Sequence, residues 1–323
     1  MTIRICKTIT LFILFVFSCK EDDSLEKRIN NISIHFKVER FDTLFSQATS
    51  KNLKYLKAGY PFMFSEAYSD DFWLKKKSDT LQVALHREVY EVFKDFDATR
   101  SDIDMLFKHL KYYISGFEAP RVITTTSDVD YANKVIVTDS IAVIALDTYL
   151  GENHKFYDGI PRYLTSCFKK SQIVVDLAEA YGKKMIRPSQ RRMFLDHIIY
   201  FGKLLYLKDI LIPFKSEFER IGYTEEQLKW AIANENYIWR YFISKSLLFS
   251  TDTKLLNRFV NPAPFSKFYL EGIDRESPGR LGQYIGLQIV RSYMKNNNVT
   301  FEDMLTKKAE DIFKNAKFKP RKS

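Results

Sequence analysis

Residues 122–146 read VITTTSDVDYANKVIVTDSIAVIAL and decide the fold class of this chain. Three short runs in it are rich in β-branched residues, namely 122–126, 135–137 and 141–146. Polar turn residues separate these runs, which predicts three strands in close succession. We expect them to form a small antiparallel meander within a chain that is otherwise helical.

The flanking sequence supplies one more strand and many helices. Ile34, Phe36 and Val38 alternate with polar residues, which predicts a strand near the meander. Apolar spacing predicts helices in both flanks. The expected helices span 44–57, 81–96, 101–116, 160–168, 173–184, 189–207, 224–249, 278–295 and 300–315. The fold class is therefore α+β, predominantly helical with a small antiparallel sheet. Since no Gly/Ser-rich or Pro-rich linker divides the chain, we expect residues 31–323 to form a single globular domain.

The N-terminus has the three parts of a secretory signal peptide. Arg4 and Lys7 form a basic start, an apolar core covers 9–17, and the small residue Ser18 precedes Cys19. The apolar run is shorter than the roughly 20 residues that a transmembrane helix needs. A buried strand would explain neither the basic flank nor the abrupt polar change after Cys19. We therefore predict a signal peptide over residues 1–18.

The cleavage region resembles the lipobox of bacterial lipoproteins. It reads Val16-Phe-Ser-Cys19, with Phe17 bulkier than is usual at that position. This resemblance implies that Cys19 becomes lipidated and leads the mature protein. Residues 19–30 are then expected to form a lipidated, flexible tether between a membrane and the body. Of the three cysteines only Cys167 would remain, so the mature monomer could form no internal disulfide.

Charge and export together narrow the class of partner. The formal net charge of +10 is compatible with nucleic-acid binding. Export argues against that partner and favours a basic surface facing anionic lipid or polysaccharide. Residues 20–23 read KEDD and resemble an acidic export signal that directs some lipoproteins to the outer membrane. The alternative is an acidic tether that anionic headgroups repel.

Motifs that carry chemistry are missing from the sequence. It has no His-Glu-x-x-His, no Cys-x-x-Cys, no Gly-x-Ser-x-Gly and no phosphate-binding glycine loop. We therefore predict neither a metal nor a cofactor. Gly282 and Gly286 lie four residues apart on the helix predicted after Pro278, which indicates close packing against another helix.

Several stretches resemble the gliding-motility lipoprotein family GldB. They are RFD at 40–42, LDTYLG at 146–151, YFGKLLY at 200–206, GYTEEQLKWA at 222–231, NENYIW at 234–239, PFS at 264–266, PGRLGQYIGLQIV at 278–290 and KFKP at 317–320. The resemblance spans nearly the whole mature chain. It implies a component of the envelope machinery of gliding bacteria, where gliding is tied to type IX secretion. The implied partners are a membrane, through the lipid anchor, and envelope proteins of that machinery.

A second resemblance concerns the zinc peptidases known as zincins. Phe194 and Ile198 occupy the positions of the two histidine ligands, Leu195 that of the general base, and only Glu235 matches a ligand. One carboxylate cannot hold catalytic zinc, which needs three protein ligands. This resemblance therefore implies at most a degenerate zincin arrangement without metal.

Two hypotheses for the site follow. The first is a non-catalytic protein with a vestigial groove near Glu235, His197 and Arg280. In that case His197 is a core histidine, and a buried Glu235 must be paired, with Arg280 or Arg291 as the expected partner. The alternative is an envelope hydrolase acting on peptide or glycan, with Glu235, Asp196 and Asp147 as candidate carboxylates.

Overall fold

The computed structural model describes residues 18–189 and 191–322, with side chains from residue 24 onward. This part of the chain is mostly helical, with one small mixed sheet of four strands. The α+β class predicted from the sequence is therefore confirmed. Residues 1–17 of the expected signal peptide and the side chain of Cys19 lie outside the described residues.

The sheet contains β1 (Val38–Arg40), β2 (Arg121–Thr125), β3 (Val135–Val137) and β4 (Ile141–Ala145). The strand order is β1-β2-β4-β3. β2 runs parallel to both β1 and β4, so Val122 lies opposite Val38 on one side and Ala142 on the other. Only β3 and β4 form an antiparallel pair. The predicted antiparallel meander is therefore wrong, although its three strands form where the sequence placed them.

The mixed sheet follows from the connections between its strands. Five helices join β1 to β2, and a long helical connection can return a strand parallel to the first. β3 is an edge strand of the sheet. The chain then turns back as β4, which lies between β3 and β2. The sequence also predicts a strand through Ile34, Phe36 and Val38. Of these three residues only Val38 pairs in the sheet, whereas Ile34 and Phe36 pack on the core without strand pairing.

Six helices belong to the first part of the described chain. They are α1 (Ser18–Asn30), α2 (Phe41–Ser46), α3 (Leu53–Gly59), α4 (Asp70–Lys77), α5 (Thr80–Val92) and α6 (Asp97–Tyr113). The helix predicted over 44–57 is divided into α2 and α3. At the division, the backbone N–H of Thr49 donates to the side-chain oxygen of Asn52 at 2.6 Å. Such side-chain bonds compete with helical hydrogen bonds and end helices.

Eleven helices follow β4 in the described residues. They are α7 (Arg162–Thr165), α8 (Ile173–Met185), α9 (Phe194–Leu211), α10 (Glu217–Ile221), α11 (Glu225–Ala233), α12 (Glu235–Ser244), α13 (Lys254–Phe259), α14 (Glu271–Glu276), α15 (Leu281–Asn296), α16 (Phe301–Thr306) and α17 (Ala309–Ala316). The long helix predicted over 224–249 is interrupted at Asn234. The side-chain amide of Asn234 donates to the carbonyl of Trp230 at 2.9 Å, again in competition with the helix.

The main core forms around α9 and α15, which share the most extensive helix–helix contact in the fold. Gly202 on α9 meets Gly286 on α15, and Gly282 lies one turn earlier against α9 and the end of α13. The sequence-based prediction of close packing at Gly282 and Gly286 is confirmed. A smaller aromatic cluster lies beneath α2 to α4 and includes Phe41 and Phe45.

The segment expected to be a flexible tether, residues 19–30, is helical as part of α1. Ile29 at its end is buried, and the carboxylate of Glu26 lies 3.4 Å from Nε2 of His109 on α6. Burial of Ile29 offsets part of the conformational entropy that is lost when the segment becomes ordered. The polar composition of the segment gave no indication of this buried contact. The division of the chain into a tether and a body stays a prediction.

The zinc-peptidase-like arrangement is unsupported. The ring of Phe194, at the position of the first histidine ligand, packs 5.2 Å from the ring of Phe242 and 6.0 Å from that of Phe259. Ile198, at the second ligand position, is fully buried in the contact between α9 and α15. Among the described residues, no group of three or more His, Cys, Asp or Glu side chains is arranged to hold a metal ion.

Candidate functional site

A cleft of about 350 Å³ opens where the sheet meets the C-terminal helices. We call it the charged cleft. Its charged side chains come from four parts of the chain: the segment before β3, helices α8 and α9, and the start of α15. They are Lys134, Asp176, Glu179, Lys183, Lys208 and Arg280. The local charge therefore comprises four cations and two carboxylates.

One carboxylate of the cleft joins the sheet to α8. Asp176 accepts a hydrogen bond from the hydroxyl of Tyr149 at 2.8 Å, and its Oδ2 lies 2.5 Å from Nζ of Lys134. The Lys134 ammonium also lies over the ring of Tyr149, 5.2 Å from its centroid. Burial, and then the neighbouring charge of Asp176, raise the pKa of Tyr149 well above its ordinary value. The tyrosine therefore stays protonated and acts as a donor that positions Asp176.

The other carboxylate joins α8 to α9. The carboxylate of Glu179 lies 2.6 Å from Nζ of Lys208 and 2.8 Å from Nζ of Lys183. Burial acts to raise the pKa of Glu179, but the two ammonium charges outweigh burial and hold that pKa well below its usual range. The Lys208 side chain is only 5% exposed, so Glu179 is the counter-charge that permits its burial.

Arg280 closes the far end of the charged cleft. It has a left-handed backbone, with φ of 61°, and directly precedes α15. Its guanidinium donates to the carbonyl of Gly222 and lies 5.4 Å from the centroid of the Tyr223 ring. The Tyr223 hydroxyl donates to the carbonyl of Gly279 at 2.7 Å. Arg280 and Tyr223 therefore connect the turn between α10 and α11 to the start of α15.

A buried aspartate shapes the loop that leads to the cleft. Asp147 is fully buried, and its carboxylate accepts the backbone N–H groups of Ser127 at 3.0 Å and Val129 at 2.8 Å. The backbone of this loop is left-handed at Asp128 and Val129, with φ of 59° and 61°. Such values are costly for residues other than glycine, above all for a β-branched valine. Asp147 therefore holds a strained loop, and burial raises the pKa of its own carboxyl.

Glu235 is buried and paired, but its partners are not those expected. The Tyr284 hydroxyl donates to Oε2 of Glu235 at 2.8 Å, and the backbone N–H of Arg321 donates to Oε1 at 2.9 Å. Nε of Arg321 lies 3.5 Å from the same carboxylate. The expected pairing with Arg280 or Arg291 is therefore wrong. Arg291 instead contacts Asp209 and Glu217, at 2.7 Å and 2.5 Å.

The remaining candidates lie on the first turn of α9. Asp196 caps the helix by accepting the backbone N–H of Met193 at 3.2 Å, and it also accepts the Ser189 hydroxyl at 3.1 Å. Burial lowers the pKa of its neighbour His197. His197 lines a separate cavity with Arg192 and Asp252. The structure thus places His197, Glu235 and Arg280 at three different positions and does not bring them together.

Sequence reasoning missed most residues of the charged cleft. Asp176, Glu179 and Lys208 were passed over because they lie within helices whose apolar residues indicated core packing. The available signal was a charged residue on an otherwise apolar helix face, which must have a partner when it is buried. Chemically, the cleft can bind and position groups, but a carboxylate with a depressed pKa such as Glu179 cannot serve as a general acid near neutral pH.

These features define a mostly helical α+β protein whose carboxylates serve internal contacts. The family model described as "Gliding motility protein GldB" matches residues 22–320, so the chain belongs to the GldB lipoprotein family of gliding motility proteins. Neither a curated protein nor a solved structure matches the chain. Within the described residues, no helix combines the length and apolar character required to cross a lipid bilayer.

Proposed function

We propose that this protein is a cell-envelope lipoprotein, anchored through Cys19, that serves as a non-catalytic structural or assembly component of the gliding machinery and of its link to type IX secretion. The observation that carries the proposal is the family match over residues 22–320, which covers almost the whole chain. Its partners are then a membrane, through the anchor, and envelope proteins of the machinery. Nucleic acid is not one of the proposed partners.

The contacts of the carboxylates support a non-catalytic role. Asp147 holds a backbone loop, Asp196 caps α9, and Glu235 binds Tyr284 and the backbone at Arg321. Each of these side chains is at most 5% exposed. A carboxylate used for hydrolysis must reach substrate or water in an open site. These three carboxylates, named for the hydrolase hypothesis, instead stabilise the fold.

Asp176 and Glu179 are the two carboxylates that line the open charged cleft. A glycoside hydrolase needs one carboxyl whose pKa is raised, so that it can protonate the leaving group. The pKa of Glu179 moves in the opposite direction because Lys208 and Lys183 stabilise its charged form. Asp176 is engaged by Lys134 and Tyr149. The pair therefore suits a binding surface better than an acid–base pair.

We place the anchored protein at the outer membrane because of the acidic run that follows Cys19. Glu21, Asp22 and Asp23 are adjacent to the lipidated residue, as an export address requires. A tether repelled by anionic headgroups would need acidic charge somewhere in the segment, without that adjacency. Because α1 is a helix of 13 residues, it would hold the body at a short, defined distance from the bilayer.

Complementation distinguishes a structural component from a hydrolase. In a gliding host whose own gene is deleted, wild-type protein and Glu235→Gln should restore colony spreading equally, with equal protein abundance. The glutamine keeps one oxygen, which can accept the backbone N–H of Arg321, and its NH2 group can donate to the Tyr284 hydroxyl, so the variant should fold. Loss of spreading with Glu235→Gln at wild-type abundance and unchanged melting temperature would contradict the proposal and favour the hydrolase.

A further inference from the structure

A second, larger groove, of about 710 Å³, lies at the C-terminal end of α8. One wall is the loop from α8 to α9, the opposite wall is the turn from α16 to α17, and α9 forms the floor. Its cations are Arg187, Arg191, Lys203, Lys307 and Lys308, and its acids are Asp196 and Glu310. We call it the basic groove. It shares no lining residue with the charged cleft.

The rim of the basic groove carries positive charge without internal compensation. Arg187, Lys307 and Lys308 are exposed, and none forms an ion pair with another described residue. Arg191 pairs with Glu310 at 2.8 Å, and Asp196 is engaged as the cap of α9. A groove lined by surplus charge of one sign concentrates ligands of the opposite sign. The rim therefore favours an anion.

The floor contains a buried lysine that lacks an anionic partner. The Lys203 side chain is 6% exposed, and its Nζ donates to the carbonyls of Leu305 at 2.9 Å and Lys307 at 2.6 Å. An ammonium group has three N–H donors, and the described residues provide no acceptor for the third. Burial lowers the pKa of Lys203 to about 8. An anion in the groove would supply both the missing acceptor and the missing counter-charge.

Apolar side chains form the rest of the floor. Met185 and the ring of Tyr200 are partly exposed beneath the charged rim, whereas Ile186, Ile199 and Leu305 are buried. A free inorganic anion would leave this apolar surface uncovered. An amphiphile fits both parts, because its headgroup can bind the cations while its acyl chain covers the apolar floor.

The groove also lies near the helix that leads from the membrane anchor. α1 packs on α6, where Glu26 contacts His109. One turn further along α6, the ring of Tyr113 lies 5.8 Å from that of Phe301, at the start of α16. α16 ends beside the groove at Lys307. Because α1 is helical from Cys19 to Ile29, this stretch spans only roughly 15 Å, which limits how far a lipidated body can sit from the bilayer. This step rests on the proposed anchoring.

From these contacts we propose that the basic groove binds one anionic phospholipid. Its phosphate lies among Arg187, Lys307 and Lys308, and its acyl chain lies over Met185 and the ring of Tyr200. The lipid would give the body a second attachment to the membrane besides its own anchor. Two attachment points would also fix the orientation of the body relative to the membrane.

Vesicle binding tests the proposal without a contribution from the anchor. The mature chain, residues 19–323 with Cys19→Ser and without the signal peptide, is sedimented with vesicles of phosphatidylglycerol and phosphatidylcholine, and with vesicles of phosphatidylcholine alone. We expect binding to the anionic vesicles only. In this background, Arg187→Gln, Lys307→Gln and Lys308→Gln together should weaken it at least tenfold. The matched control removes three other exposed cations without ion pairs, through Arg240→Gln, Lys245→Gln and Lys254→Gln, and should bind as the parent does.

Equal weakening in both triple variants would overturn the proposal, since it would mean attraction by overall charge alone. Unchanged binding in the groove variant would overturn it as well. Soluble competitors distinguish the source of the phosphate. Short-chain phosphatidylglycerol should displace the protein from vesicles, whereas inorganic phosphate at the same concentration should not. Equal displacement by inorganic phosphate would show a free-phosphate site and contradict lipid binding. Equal melting temperatures of the two triple variants exclude misfolding as the cause of a difference.

Discussion

Gly202 on α9 and Gly286 on α15 are in direct backbone contact, and a Cβ atom on Gly202 would lie 2.8 Å from the amide nitrogen of Leu287. A Cβ on Gly286 would overlap the carbonyl of Ile198. The neighbours in both cases are backbone atoms, which cannot move aside as a flexible side chain can. The two central helices can therefore approach this closely only with glycine at both positions.

Gly286→Ala should consequently destabilise the protein by roughly 3 kcal/mol, because the helices must separate and lose packing along the core. The measurement is urea denaturation of the purified protein. Gly272→Ala is the matched control, since Gly272 is also helical and a Cβ there meets nothing within 4 Å. An effect of Gly286→Ala no larger than that of the control would contradict the close contact.

The sequence was informative about these helices because glycines four residues apart on an apolar helix leave one face open to the backbone of a neighbouring helix. It also located β2, β3 and β4, since runs of β-branched residues between turns are a local signal. Strand order is not local: β4 enters between β2 and β3 through pairings that no single stretch encodes. The sheet was therefore predicted in position but not in topology.

The candidate site shows the same difference between what a local stretch of sequence indicates and what only the folded chain brings together. Glu235 could be predicted to need a partner if buried, because an unpaired buried carboxylate is costly. The partner itself comes from Arg321 near the C-terminus, and sequence distance gave no reason to prefer it over Arg280 or Arg291. The charged cleft was missed for a related reason. Asp176 and Lys134 approach each other only because α8 packs beside β3.

The acid limb of the stability profile should depend on Glu179. Its pKa in the folded protein is below the ordinary value of 4.5, so its stabilising effect is complete above that value and is lost as the pH falls further. Glu179→Gln should make the stability less sensitive to pH below about 4.5. It should also destabilise the protein near neutral pH, because Lys208 would remain buried without its counter-charge.

Thermal unfolding of wild type and Glu179→Gln across pH 3 to 7 checks this expectation. The difference between the two proteins should be largest near neutral pH and should narrow as the pH falls. Lys183→Gln is a useful companion, because the Lys183 side chain is 56% exposed and its loss should cost much less. A difference between wild type and Glu179→Gln that stays constant across this range would contradict the ion pair with Lys208.

Asp147→Asn should destabilise the protein by about 2 kcal/mol, since an NH2 donor replaces one of the two oxygens, both of which accept from the backbone N–H of Ser127. Asp139→Asn makes the same chemical change at a fully exposed residue and should leave the stability nearly unchanged. Chemical denaturation of the two variants gives the comparison. Equal effects would mean that Asp147 does not hold the loop.

Cys19→Ser should abolish lipidation while leaving the fold of the body intact. Cells grown with labelled palmitate should incorporate the label into wild-type protein and not into the variant. Equal labelling of the two proteins would contradict Cys19 as the acceptor. Cys167→Ser is the control and should retain full label.

The most direct test of the central claim is the movement of single cells after clean deletion of the gene in a gliding host. The account predicts that the deleted cells do not glide on a surface and that their colonies do not spread. A wild-type copy supplied in trans should restore both. Normal gliding speed in the clean deletion would contradict the proposed role of this protein in the gliding machinery.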